Sequence, residues 1–509
     1  MSTLTSRWLD RATDTHAAVL DSAKPPRAHS YADVVAASIS IASSLLDGRP
    51  SLRGERVALL VGANARFVEA FFGVLLAGGC VVVLSPLHPV PETRYFCDDA
   101  EVRTVLVSSE HAALVAPLAA SSPGLDVRDI DSLAGSREHI GAVTAAALAT
   151  GGDAPALQLY TSGTTGKPKG AVITHTNLEV QQELVGAAWG FAPGDTLLHA
   201  LPLHHMHGLA IALLTALGAG STTRLTTFVA PEIWDAMADA TVFMGVPSMY
   251  HRLFLAFDAA DEATRARWSQ NAKALRLATS GSAALPVTLA ERWRALTGKI
   301  PLERFGMTEI GVGITNALDG ERFPGCVGFP LPSVETRIVS DDEQVSESGE
   351  LWIRGPSVFH GYHRREEETR RAFAKDPDGG TPWFRTGDTV TRIGPNGPFK
   401  ILGRTSVDIL KTGGYKVSAL EIEEVLREHP AVGEVAVIGV PDEAWGERVV
   451  ACVVLHAGAP ACNEATLRAF AKERLAGYKV PKDVLFLTEL PKNALGKVVK
   501  PELLTRVRA

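Results

Sequence analysis

Short apolar runs recur along the chain, at Val57–Val61, Cys80–Leu84, Thr104–Val107, Thr196–Ala200 and Val435–Val440. Many are rich in valine, and amphipathic stretches such as Arg66–Leu76 lie between them. A strand covered on both faces reads as a continuous apolar run, so this pattern predicts parallel strands in α/β layers. The rhythm changes near Gly403. A strand pair, a helix at Ala419–Glu428, a strand at Val435–Val440, another at Val449–Leu455, a helix at Glu464–Leu475 and a basic tail follow. The prediction is therefore a large N-terminal domain of several α/β subdomains over 1–403 and a small α+β domain over 404–509. The sequence contains no internal repeat and no low-complexity linker.

Composition narrows the class without naming it. At 509 residues, 46% hydrophobic and 21% charged, the chain can bury a large core in two or more domains. A formal charge of −7 argues against a broad nucleic-acid surface. Apolar stretches such as Phe71–Leu84 and Leu209–Leu217 fall short of a membrane span. The first residues, Met1 to Lys24, mix Arg7 and Arg11 with Asp10, Asp14 and Asp21, unlike a secretory leader. Five cysteines without CxxC spacing suit a reducing compartment, and the cytoplasm is the expected location.

Chemistry first shows in Leu159-Tyr160-Thr161-Ser162-Gly163-Thr164-Thr165-Gly166-Lys167-Pro168-Lys169-Gly170. The glycines let backbone approach an anion. Hydroxyls of Thr161, Ser162, Thr164 and Thr165, with the ammonium groups of Lys167 and Lys169, supply donors. Only two residues separate Gly163 from Gly166, and Pro168 follows the lysine, so this is not a Walker A loop. The pattern favours a triphosphate over a plain Gly/Ser/Thr loop. Further along, Glu309 behind Gly306 and Thr308 is a suitable oxygen ligand for magnesium, although a Glu after Thr also starts helices. Asp388, read as a turn residue after Phe384, could take both ribose hydroxyls, or be solvated. Gly281, Ser282 and Ala283 are small enough for an adenine ring to lie against backbone, or simply turn toward Pro286. Arg404 and Lys497 read alone as surface cations.

Taken in order, these segments resemble the adenylate-forming superfamily of acyl-CoA synthetases, luciferases and peptide-synthetase adenylation domains. The motifs are the loop, Leu203-His204-His205-Met206-His207-Gly208, Ser280-Gly281-Ser282-Ala283, Phe305-Gly306-Met307-Thr308-Glu309, Phe384-Arg385-Thr386-Gly387-Asp388, Gly403-Arg404 and Pro491-Lys492-Asn493-Ala494-Leu495-Gly496-Lys497. They span about two thirds of the chain. The resemblance implies ATP held by residues 161–170, Gly281, Ser282, Ala283, Phe305, Gly306, Asp388 and Arg404. It implies Mg2+ on Glu309 with Thr165, and catalytic roles for Thr308, Glu309, His207 and above all Lys497. A carboxylate attacking the α-phosphate sets anion against anion, and a cation there relieves the repulsion. It also implies a mobile C-terminal domain that rotates about Thr405–Val407 and brings Gly413, Gly414 and Lys416 to coenzyme A. Here Ser406-Val407-Asp408 is one residue longer than the pattern of many relatives.

Within the superfamily the segments Leu302–Ile310 and Gly403–Glu421 are similar to malonyl-CoA synthetases of the mitochondrial and plant type, with Phe305 where tyrosine is usual. A dicarboxylate needs one carboxylate activated and the other held by a fixed cation. Arg304 suits that task with a two-pronged grip, flanked by His207, Met307 and Ser280; the structural alternative pairs it with Glu303 or Glu291. The expected reaction joins malonate or methylmalonate to CoA, with AMP and pyrophosphate released. The alternatives are a ligase for a medium-chain or aromatic monocarboxylate, an enzyme that loads a carrier protein, and a non-catalytic nucleotide-binding homologue. No metal is expected on His204, His205 and His207.

Overall fold

The computed structural model describes residues 3–22, 26–122, 124–133, 140–161, 167–376, 379–493 and 496–508. Among these residues the strands form sheets of seven, fourteen and five strands. The valine runs behave as their pattern demands. Strands Arg56–Leu60, Cys80–Val83 and Thr104–Val107 pair in parallel at the middle of the seven-stranded sheet. The helix Ala65–Leu76, started by the Asn64 side chain on the Arg66 N–H, packs Phe67, Phe71, Phe72 and Leu75 into the main core.

The fourteen-stranded sheet places the site. Strands Thr196–His199, Val242–Gly245, Leu277–Ser280 and Leu302–Met307 run parallel and side by side. Ligands gather at the carboxyl ends of such strands, where loops diverge and helices begin. Behind them the indole of Trp234 stacks on Trp268 and Trp293 at 6.0 and 5.7 Å in a separate aromatic core. Leu302–Met307 also pairs antiparallel with Gly311–Thr315, so the connecting residues 308–310 form a hairpin turn.

The smaller C-terminal domain holds the five-stranded sheet and the helices Ala419–Arg427 and Glu464–Lys472 around their own core. One expectation fails here. The Val435–Val440 run lies in the strand Val432–Asp442, which is antiparallel to Gly446–Leu455 rather than parallel. The short link between these strands leaves no room for a crossover helix, so the chain must double back. The basic tail ends in a helix, Lys500–Arg508. No helix among the described residues is long and apolar enough to cross a membrane.

Candidate active site

Strand Pro155–Thr161 returns antiparallel through Lys169–Thr174, with Thr161 opposite Lys169. Ser162, Gly163, Thr164, Thr165 and Gly166 lie outside the described residues. Of the two lysines that follow, Lys167 Nζ sits 5.4 Å over the Tyr95 ring and Lys169 Nζ 5.1 Å over Tyr362. Tyr362 donates its hydroxyl to Glu309 Oε1 at 2.8 Å. Glu309 is therefore a hairpin-turn residue, not the start of a helix. Its carboxyl is buried, and burial raises its pKa against the pull of that hydrogen bond. A buried carboxylate with one oxygen held by a phenol, beside an ammonium group, fits a hard cation escorted by phosphate. Thr308 is half-buried next to it.

Arg304 defines the second part of the site. It is 5% exposed on the Leu302–Met307 strand, and its Nε and Nη2 have no hydrogen-bond partner. Burial lowers the guanidinium to about 10. Neither structural alternative holds: Glu303 accepts the Gly325 N–H at 2.8 Å, and Glu291 pairs with Arg294. The guanidinium lies against Gly281; a Cβ at that position would overlap its central carbon and two of its nitrogens. Gly281 therefore serves the arginine as well as any adenine. Two more buried atoms lack partners, Ser280 Oγ and His207 Nε2, while His207 Nδ1 meets Ser282 Oγ at 3.1 Å. Burial, and then the charge of Arg304, holds His207 neutral far below its ordinary value. His204 and His205 are likewise pushed to about 3 and about 4, first by burial. Donors that converge without acceptors describe a site for an anion.

Glu303 sits one residue away yet points elsewhere, and burial pushes its carboxyl up to about 8. Folded, it keeps its proton; unfolded, it loses it near 4.5. The unfolded state therefore holds fewer protons between those values, and stability falls as pH rises through that window. Glu303→Gln removes this titration but keeps an acceptor for Gly325. Its unfolding free energy should gain on the parent steadily from pH 5 to pH 8, by an amount on the order of a few kcal/mol at the upper end, seen as a widening gap in melting temperature. A gap that stays flat with pH in scanning fluorimetry would contradict the buried acid.

The third part joins two strands and the tail. Asp388 was expected in a turn, but it lies within the strand Trp383–Arg392, opposite Arg404 on Phe399–Arg404. Gly387, in the left-handed region at φ 70°, bends the chain there without ending the strand. Arg404 Nε lies 3.2 Å from Asp388 Oδ1, and its Nη1 donates to the Thr386 carbonyl at 2.7 Å. Burial raises the Asp388 carboxyl to about 6 despite Arg404. Just before Lys497, the Gly496 N–H bonds the Asn493 carbonyl at 2.8 Å. By area its side chain is open to solvent, yet protein crowds the ammonium within the cleft. That crowding, then repulsion from Arg404 and Arg304, lowers its pKa, while Asp388 opposes the drop.

The fold thus gathers Arg304, Phe305, Gly306, Met307, Glu309, Asp388, Arg404 and Lys497 with the 280–283 loop and His207. It does not bring in Gly413, Gly414 and Lys416. Gly413 and Gly414 form the tight turn between strands Ile409–Thr412 and Tyr415–Ser418, and Lys416, in the second of these strands, pairs with Asp341. Two neighbours escaped the sequence reading. Tyr362 stands in a two-residue strand with no motif; Gly361 pairing with Val172 delivers it. His88 packs edge-on to His204 at 5.5 Å and belongs to no recognisable pattern.

This arrangement belongs to a known family. The model of the AMP-binding enzymes matches residues 6–363, and that of the AMP-binding enzyme C-terminal domain matches 421–497. The chain is a member of the AMP-binding enzyme family. It is 38% identical over 523 residues to the mitochondrial malonate–CoA ligase of Bos taurus, covering 94% of this chain and 86% of that protein. ATP-bound MatB from Rhodopseudomonas palustris superposes with a TM-score of 0.86 at 34% identity, over 100% of this chain and 99% of that one. A malonyl-CoA ligase in a ternary product complex with methylmalonyl-CoA and AMP is also 34% identical, covering 97% of this chain and 100% of that one, but scores 0.69.

Proposed function

We propose that this enzyme makes malonyl-CoA, and from methylmalonate its methyl homologue, through an acyl-adenylate. The observation that carries the reading is the buried Arg304 fork, with Nε and Nη2 free to receive a carboxylate beside Ser280 and His207. One carboxylate of the acid is held there. An oxygen of the other attacks the α-phosphorus of ATP; the bond to the β,γ-phosphates breaks and pyrophosphate leaves. The thiol of CoA then attacks the acyl carbon, loses its proton, and AMP departs.

Residues 161–170 cradle the triphosphate, Gly281–Ala283 and Phe305–Gly306 flank the adenine, and Asp388 and Arg404 take the ribose. Glu309, with Thr165, would hold Mg2+, which supplies charge neutralisation at the phosphates; Tyr362 keeps Glu309 oriented for it. Lys497 stabilises charge at the reacting phosphate. Gly413, Gly414 and Lys416 serve CoA after the domain beyond residue 403 turns about Thr405–Val407. Five unpaired cysteines suit the reducing cytoplasm, where we place the enzyme.

Pyrophosphate release measured over a panel of acids tests the reading. Malonate and methylmalonate should turn over with free CoA at rates well above hexanoate, benzoate or acetate. Fast hexanoate or benzoate with no malonate activity rejects the dicarboxylate assignment, and activity confined to a carrier-protein acceptor rejects free CoA.

A further inference from the structure

The helix Val287–Thr297 begins after Pro286, which has no side-chain acceptor, and its first turn carries no acidic residue. Its first N–H groups therefore get no side-chain cap from their own segment, at the positive end of the helix dipole, though the Leu289 N–H turns back onto the Pro286 carbonyl, at 3.0 Å. The Val287 N–H instead donates to Glu424 Oε1 at 2.6 Å, across 137 residues of sequence and from the other domain. Arg427 Nη1 steadies the same carboxylate at 2.7 Å.

Glu424 sits on the helix Ala419–Arg427, and its neighbour Glu423 faces into the small domain. Glu423 accepts the Val437 N–H at 2.8 Å and Lys500 Nζ at 2.7 Å. Lys500 also bonds Asp408 Oδ1 at 2.5 Å, while Asp408 Oδ2 accepts the Arg404 N–H at 3.0 Å. These buried pairs fix the helix to the start of the tail helix, three residues beyond Lys497. Whatever docks Ala419–Arg427 on the large domain thereby sets the position of Lys497. Away from the hinge, Lys416 and Asp341 also meet across the domains, but this pair joins two exposed side chains and contributes little.

We propose that Glu424 is a positioning residue for acyl-adenylate formation. It caps a helix of the large domain from the small one, holds Lys497 in the cleft with Arg304, Arg404 and Asp388, and lets go when the domain turns for the thioester step. The proposal rests on the two-step reading above.

Three preparations test it: Glu424→Ala, Glu424→Gln, and Asp341→Ala as a control. Single-turnover adenylate formation is measured beside thioester formation from supplied acyl-adenylate and CoA. Hydrogen–deuterium exchange of the peptide containing Val287 is followed with a non-hydrolysable ATP analogue. Glu424→Ala should slow adenylation by about five- to tenfold, the loss of a helix cap read as a rate, and leave the thioester step unchanged. Glu424→Gln, which keeps an acceptor oxygen, should recover most of that loss, and exchange at Val287 should speed up only in the alanine variant. Equal falls in both steps, or unaltered adenylation with unaltered exchange, overturn the proposal. If the parent protein adenylates no acid, the proposed function fails, whereas the exchange comparison still decides the contact.

Discussion

Replacing Arg304 by methionine should lower kcat/KM for malonate by about two to four powers of ten and leave a short monocarboxylate such as butyrate unharmed. The size follows from leaving a desolvated carboxylate without its cation, a loss of about 3–5 kcal/mol. The direction for stability is opposite. In the folded chain Nε and Nη2 of Arg304 are buried without partners, and a methionine of similar length brings no such atoms. The melting temperature of Arg304→Met should therefore stay level or rise while malonate activity collapses. An arginine that merely supported the fold would give the reverse pattern: a lower melting temperature and an equal loss for every acid. Steady-state kinetics on malonate and butyrate, with a thermal melt, separate the two.

The second large effect belongs to Lys497. Lys497→Ala should slow acyl-adenylate formation by about 10²–10³-fold, the cost of removing one charge-stabilising donor, or about 3–4 kcal/mol. Thioester formation from supplied acyl-adenylate should persist, because that chemistry attacks carbon rather than phosphorus. Folding should be untouched, since the side chain is exposed. Rapid-quench measurement of AMP and acyl-adenylate checks the first half, and thioester appearance checks the second. Full-speed adenylation in the alanine variant would remove Lys497 from the mechanism.

Much of this was legible in the residues because the signals were local. Valine runs with amphipathic spacers specify parallel strands when both faces are covered, and Arg56–Leu60, Cys80–Val83 and Thr104–Val107 comply. The same signal misled at Val435–Val440, because an apolar run encodes burial and leaves strand direction to the connection. Asp388 was misjudged since a Gly-Asp pair signals a turn, while Gly387 here only bends a strand that pairing with Arg404 continues. Tyr362, His88 and Glu424 were invisible for a common reason. Each acts on a partner far along the chain, so no spacing records it. The charge state of Glu303 was hidden too, because its neighbour Arg304 seemed a ready counter-ion and the strand's alternation turns the two apart.

The close fit of Arg304 over Gly281 ties the recognition of the acid to the shape of the neighbouring loop. In laboratory evolution toward new acids the two positions should behave as an epistatic pair. An alanine at 281 must push the guanidinium aside while it fills that space, and becomes freely permissible once residue 304 is short. A library that varies residue 304 alone would leave a gap behind the loop in its smallest members, and so would undercount workable pockets. Varying both together opens solutions that single steps cannot reach.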